Sequence, residues 1–160
     1  MRARLTAWRN KIMLAVLRRY WRVQRGMTLG AQGVVIDAEN RVLLIKHTYR
    51  PGWCFPGGGV EAGESFEDAL TREVHEEVGV TLTGPVTLHG IFTNFAAVKR
   101  DHIAVFVVRD WTRDGDYHRP REIAESGFFA LDWLPADIDT GTANRLREIF
   151  EGAPVMASWT

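Results

Sequence analysis

Three carboxylates, Glu73, Glu76 and Glu77, stand at i, i+3 and i+4 in a segment whose apolar residues have helical spacing. At about 100° per residue they share one arc of a helix. Such a cluster repels itself, because like charges at i,i+4 destabilise a helix. One reading is a solvated acidic face. The other is a hard-oxygen site for Mg²⁺ or Mn²⁺, which prefer carboxylates, carbonyls and water. Two features weigh toward the second. The helix carries no lysine to pair with the acids, and Pro56-Gly57-Gly58-Gly59 precedes it. In such a turn the backbone can approach a ligand closely and offer a carbonyl. Glu64 lies just ahead of the helix, placed to bond loop amides or to reach the cluster. Arg72 stands four residues before Glu76, placed to orient that carboxylate.

Positioning these groups requires a helix with defined ends. Ser65 is followed three residues later by Asp68, a capping-box arrangement. Phe66, Ala69, Leu70, Val74 and Val78 form the apolar face, and Gly79 suits a C-terminal cap. The spacing predicts a helix over 66–78. Around it the pattern is strand-like. Gly33 to Ile36, a turn at 37–40 and Arg41 to Lys46 read as a hairpin. Trp53 to Phe55 leads into the glycine turn. Further strand-like runs lie between Thr81 and Thr93, and His102 to Arg109 reads as a buried strand. Trp111 to Pro120 reads as a polar loop, Phe128 to Leu131 as a short strand and Asn144 to Phe150 as a closing helix. No internal repeat or low-complexity linker divides this pattern, so it predicts one α/β domain over 28–160.

A chain of 160 residues, 46% hydrophobic and 25% charged, fits one soluble globular domain with a sizeable core. The single cysteine, Cys54, excludes an internal disulfide framework and fits a reducing, cytoplasmic compartment. No Cys-His signature surrounds it, and its strand-like setting reads as a buried thiol. Net charge is zero but unevenly spread. Residues 1–26 hold eight Arg or Lys and no acid, which leaves minus eight on the remainder. Leu5, Trp8, Ile12, Val16, Tyr20 and Val23 recur every three or four residues, so residues 1–27 read as a basic amphipathic helical extension. Its apolar run is too short for a membrane span or a signal-peptide core. Packing on its own domain or in a homodimer, peripheral contact with an anionic membrane, and nucleic-acid contact are its three readings.

Residues 58–80 follow one rule throughout: G, five residues, E, seven residues, then R-E-aliphatic-x-E-E-x-G-aliphatic. This is the Nudix box, and the chain resembles the Nudix hydrolases over about Leu29 to Glu151. Trp53-x-Phe55-Pro56-Gly57-Gly58 ahead of the box and Phe128-Phe129-x-Leu131-Asp132-x-Leu134-Pro135 after it extend the likeness. The resemblance implies an α/β/α sandwich with a mixed sheet. It implies hydrolysis of a diphosphate bond in a nucleoside-diphosphate-linked small molecule, with Mg²⁺, or Mn²⁺ in its place. It places metal ligands on Glu73, Glu76 and Glu77, with Glu64 joining directly or through water and Gly57 giving a carbonyl. A further loop carboxylate would come from Glu122 or Glu125, with Glu122 preferred. Glu73, Glu76, Glu77 and Arg72 form the catalytic set, with Glu73 or Glu77 as the base.

Substrate choice lies outside the box. Some ADP-ribose hydrolases carry a proline, and some diadenosine polyphosphate hydrolases a tyrosine, a short way beyond it. Asn94 to Val98 holds neither, and the NADH-type signature is absent. Phe95, Arg100 and Tyr49, with His102, are candidates to line a substrate pocket. The remaining histidines, His47, His75, His89 and His118, show no metal-ligand spacing. The alternative to an enzyme is a non-catalytic nucleotide-binding or regulatory module. Degenerate carboxylates would favour that module, and here all are intact.

Overall fold

A computed structural model describes residues 26–160, apart from 114 and 116, together with Met13. The basic helix expected over 1–27 lies outside the described residues. Nine strands and two helices follow: β1 (Thr28–Val35), β2 (Val42–His47), β3 (Trp53–Cys54), β4 (Gly57–Gly59), α1 (Phe66–Val78), β5 (Val80–Leu82), β6 (Thr87–Thr93), β7 (Asp101–Val108), β8 (Trp111–Arg113), β9 (Ile123–Phe129) and α2 (Thr140–Glu151).

The main sheet has the order β4-β1-β7-β6 and is mixed. β1 runs parallel to β7, while β4 and β6 pair antiparallel at the flanks. A second sheet has the order β3-β2-β9, and β5 pairs with β8. Side chains alternate across a strand, and here both faces are filled. Ala31 and Val35 of β1, Leu43 and Ile45 of β2, and Ala104, Phe106 and Val108 of β7 join Leu70 and Val74 of α1 in one core. Their neighbours Val34, Val42, Leu44, Ile103 and Val105 join Leu146 of α2 and Trp159 in the other. The strands therefore lie between the two helices, as the predicted α/β/α layering requires.

Helix α1 has the predicted bounds because its ends are chemically specified. Ser65 Oγ accepts from the Asp68 N–H, and the Asp68 side chain accepts from the Ser65 N–H. Gly79 closes the other end in the left-handed region at φ 66°, its N–H bonded to the His75 carbonyl. Burying Leu70, Val74 and Val78 stabilises the helix by about 1.5–3 kcal/mol each. Like-charge repulsion costs only about 0.2–0.5 kcal/mol per pair, so packing wins and the acidic arc is tolerated. Gly33 lets the helix lie close, since a Cβ there would sit 3.0 Å from Leu70 Cδ1.

Several local expectations change. The glycine turn is itself a strand, with Gly57, Gly58 and Gly59 opposite Gln32, Ala31 and Gly30. That strand occupies the β1 edge a hairpin partner would need, so β1 and β2 share only the Ile36–Val42 bridge. The loop expected from Trp111 begins with β8, three residues held by pairing with β5. The strand expected at 128–131 is β9, which starts at Ile123 and ends at Phe129. The closing helix begins earlier than expected, at Thr140, because Asp139 caps it by accepting the Thr142 N–H.

After α2 the chain returns to β6. Thr93 N–H donates to the Ala157 carbonyl, and Trp159 N–H donates to the Thr93 carbonyl. Beneath this strap the buried Arg145 donates to both oxygens of Glu148 at 2.8 and 2.6 Å, and its guanidinium lies 3.8 Å from the Phe92 ring centre. Among the described residues no helix is long and apolar enough to cross a membrane.

Candidate active site

The three carboxylates of α1 share an arc but sit in different environments. The side chain of Glu76 is 60% exposed, whereas those of Glu73 and Glu77 are 16% and 6% exposed. Glu77 Oε2 accepts the Gly57 N–H at 2.7 Å, and its other oxygen lies 3.9 Å from His47 Nε2. Burial pushes the Glu77 carboxyl up to about 8, and the charges of Glu73 and Glu122 push the same way, against the Gly57 hydrogen bond. Burial also lowers His47 to about 4, with the Arg50 charge acting in the same direction. The His47–Glu77 pair therefore meets as neutral imidazole and strained carboxyl.

Arg72 ties the loop, the helix and β4 together. Its Nε and Nη2 donate to Glu64 at 2.8 and 3.0 Å, its Nη1 to Glu73 at 2.7 Å and its Nη2 to the Gly59 carbonyl at 2.9 Å. Glu76 stands farther off, at 3.7 Å. The partner expected for Arg72 was Glu76; Glu64 and Glu73 hold it more closely, because Glu64 offers a two-pronged carboxylate from the loop. Arg72 and the Glu61 N–H in turn hold Glu64 down to about 2. Gly58 makes this arrangement fit: a Cβ there would lie 2.4 Å from Glu73 Oε1.

These donors are carboxylate and main-chain oxygens, the set a hard divalent cation takes. A buried carboxyl raised by its acidic neighbours is also what a cation would stabilise. Among the described residues no three His, Cys, Asp or Glu side chains already converge on one metal position. Glu73 is engaged by Arg72 instead. Of the two loop candidates, Glu122 contributes its charge to Glu77, while Glu125 faces Lys46 across the β2–β9 ladder. The Glu122 backbone is fixed by the Thr48 N–H, which donates to its carbonyl at 2.8 Å.

A cleft of about 310 Å³ opens over β4, floored by Gly30 and Gly57–Gly59. His47, Tyr49 and Arg50 form one wall; Asn94, Val98 and Asp101 form the other, with Gln32 and Ile103 between. Tyr49 lies with its ring centre 4.8 Å from that of His47. Phe95 and Arg100, expected beside it, do not line the cleft. Phe95 is exposed and edge-on to His102, and Arg100 turns the chain at φ 63° before β7. Asn94, just before Phe95, and Val98, between the two, face the cleft instead. Arg50, Gln32, Asn94 and Asp101 escaped the sequence reading. Arg50 adjoins the chosen Tyr49, but nothing in its spacing marks it. A larger cavity of about 610 Å³, between the 36–41 turn, Trp111 and Phe128, lies at the other end of β1. No α1 carboxylate lines either cavity, but the cleft over β4 includes Gly57 and Gly58, which Glu77 and Glu73 approach.

Comparison with known proteins gives a consistent family. The NUDIX domain model matches residues 27–150. An uncharacterized Nudix hydrolase, YvcI of Bacillus subtilis, is 35% identical over 102 residues, 62% of this chain and 61% of the relative. An ADP-ribose pyrophosphatase of Methanocaldococcus jannaschii is 34% identical over 104 residues, 63% of this chain and 61% of the relative. The matches thus span about three-fifths of both relatives. Among solved structures, the MutT NUDIX hydrolase from Burkholderia pseudomallei is 28% identical with a TM-score of 0.66, covering 76% of this chain and 97% of that one.

Proposed function

The chain belongs to the NUDIX domain family, and from that membership we propose that it is a divalent-metal-dependent pyrophosphohydrolase acting on a nucleoside-diphosphate-linked small molecule. The observation that carries this reading is the meeting of the α1 carboxylates with the side-chain-free floor of the cleft. Gly57 touches Glu77, and Gly58 leaves room for Glu73. A diphosphate resting on that floor would lie beside the acids with no side chain between. The relative named for ADP-ribose pyrophosphatase activity supports the substrate class.

Glu73, Glu76 and Glu77 are the residues that would hold Mg²⁺, or Mn²⁺, with Glu64, Glu122 and the Gly57 carbonyl as further donors. Such a cation would supply charge neutralisation at the phosphates and make a water more acidic. Bringing an anionic substrate to an acidic site requires that neutralisation. Either Glu73 or Glu77, the two sheltered carboxylates of the arc, would take the proton of that water. Arg72 positions Glu73 and Glu64. In-line attack of water on one phosphorus would form a new P–O bond and break the bridging P–O bond, giving two phosphate-bearing products, with the water's proton passing to Glu73 or Glu77.

The test is a Mg²⁺-dependent screen over nucleoside triphosphates, nucleotide sugars, ADP-ribose, dinucleoside polyphosphates and capped RNA. Turnover of at least one diphosphate is expected. Glu76→Gln and Glu77→Gln should each reduce it by roughly 10²-fold or more with the fold intact. No release from any substrate would overturn the reading in favour of a binding module, and near-parental rates in both variants would sink the site assignment.

A further inference from the structure

Among the described residues that line the cleft, Arg50 is the one Lys or Arg. Its partner is unusual for a guanidinium. Nη2 donates to Cys54 Sγ at 2.9 Å, and no carboxylate lies within ion-pair distance of it among the described residues. A thiol sulfur is a weak acceptor, and burial keeps this one protonated, pushed up to about 11. Arg50 therefore keeps most of its five donors free of a carboxylate partner, although its charge does act on Glu77 from a distance. Arg72, by contrast, is consumed by Glu64, Glu73 and the Gly59 carbonyl.

The opposite wall has the opposite character. Asp101 accepts from Thr28 Oγ1 at 2.7 Å and from Asn94 Nδ2 at 2.9 Å, which fixes a carboxylate there. Between the walls, Gln32 is 9% exposed and its Oε1 has no partner. An unsatisfied buried amide is destabilising, and a polar group of a ligand would relieve it. The cleft is thus polarised: a cation on the Tyr49 side, a carboxylate on the Asn94 side and an unpaired amide between.

We propose that Arg50 binds a phosphate group of the substrate and so sets its direction, phosphates toward the Arg50 wall and nucleoside toward Gln32, Ile103 and Asn94. This rests on the diphosphate hydrolase reading above and adds the residue that orients the substrate. A planar guanidinium can grip a phosphate with two parallel hydrogen bonds, which an ammonium cannot reproduce. Asp101 repels phosphate from the other wall, so the reversed pose loses an attraction and gains a repulsion.

The experiment uses methylenediphosphonate with Mg²⁺, a diphosphate mimic that has no nucleoside and a bridge that cannot be hydrolysed. Its affinity for the full chain is measured by calorimetry, alongside Arg50→Ala and Arg50→Lys. The expected result is at least a tenfold weaker Kd in Arg50→Ala, an intermediate Kd in Arg50→Lys and a Mn²⁺ affinity that is not weakened in either. Kinetics on whichever substrate the screen identifies should show a raised KM in Arg50→Ala. Equal affinity of parent and Arg50→Ala for the mimic would overturn the Arg50 assignment alone. Absence of binding by the parent chain would instead overturn the diphosphate reading beneath it.

Discussion

Glu77 pays for its place at the cleft with an ionisation that the folded chain resists. Its carboxyl is held near 8 against an ordinary 4.5, chiefly by burial. Between these two values the folded state binds a proton that the unfolded state has released, so stability falls as pH rises from about 4.5 to 8. The lowered His47 works the other way up to about pH 6.5, so in EDTA it is thermal melts from pH 6.5 to 8 that should show a declining Tm, with an effect of about 2 kcal/mol. Glu77→Gln should flatten that decline, since an amide keeps the Gly57 acceptor without the charge. A Tm that rises over this window in the parent would contradict the assignment. Saturating Mg²⁺ should raise the pH 8 melt in particular, because it favours the ionised form. None of this was legible from residue type alone. Glu73, Glu76 and Glu77 look alike at i, i+3 and i+4, and only the strand beneath them separates the exposed Glu76 from the buried Glu77. Arg50 stayed hidden for the same reason: its value lies in what does not surround it, which no spacing reports.

The pairing of a capped helix with a glycine strand is the element on which the site is built. The helix could be read to the residue, because Ser65, Asp68 and Gly79 state its ends chemically and Leu70, Val74 and Val78 state its buried face. β4 could not, because Gly57-Gly58-Gly59 has no side-chain alternation to announce a strand; its partner β1 imposes the conformation. β8 and the first half of β9 were missed likewise, since mostly polar or exposed residues are extended there by their neighbours. The glycine strand makes a sharp prediction. In Gly58→Ala the new methyl would fall 2.4 Å from Glu73 Oε1 and 2.5 Å from its carboxyl carbon. Glu73 must move away from Arg72, so turnover should drop by at least about tenfold while circular dichroism stays native. Gly59→Ala is the matched control, with nothing within 4 Å of the added carbon, and should leave turnover near parental. Equal effects of the two substitutions would count against β4 as the spacer between acids and cleft.

At the scale of the molecule, two cores share one set of strands, and the cleft takes its walls from loops that both cores hold in place. The strap of residues 157–159 fixes Thr93, from which Asn94 enters the cleft. His89 and the Met156 N–H add to the Arg145 hydrogen bonds on Glu148, and together these outweigh burial and keep that carboxyl below its ordinary range. Charge is partitioned as well: eight cations lie in residues 1–26 and the compensating acids elsewhere. We propose that this segment serves attachment rather than catalysis: packing on its own domain or a second copy, contact with an anionic membrane or contact with nucleic acid. On the membrane reading, sedimentation with phosphatidylserine liposomes should pellet the full chain at low salt and leave a chain lacking residues 1–26 in the supernatant; both remaining soluble would end that reading. An α/β domain was readable in advance from the apolar runs, and its α/β/α layering from the resemblance; the cleft walls were not, because strand ends such as His47 and Asp101 and the loops beside them follow no periodicity. The alternation along β1 has one more consequence. Ala31, Gly33 and Val35 serve the helix, and Gln32 and Val34 serve the other face. Odd positions build the support for the acids, and even positions build the receptacle. One residue inserted ahead of Ala31 would exchange the two sets, setting a carboxamide against Leu70 and a small side chain in the cleft. Chemistry in this chain thus depends on parity: whether a number counted along one strand is odd or even.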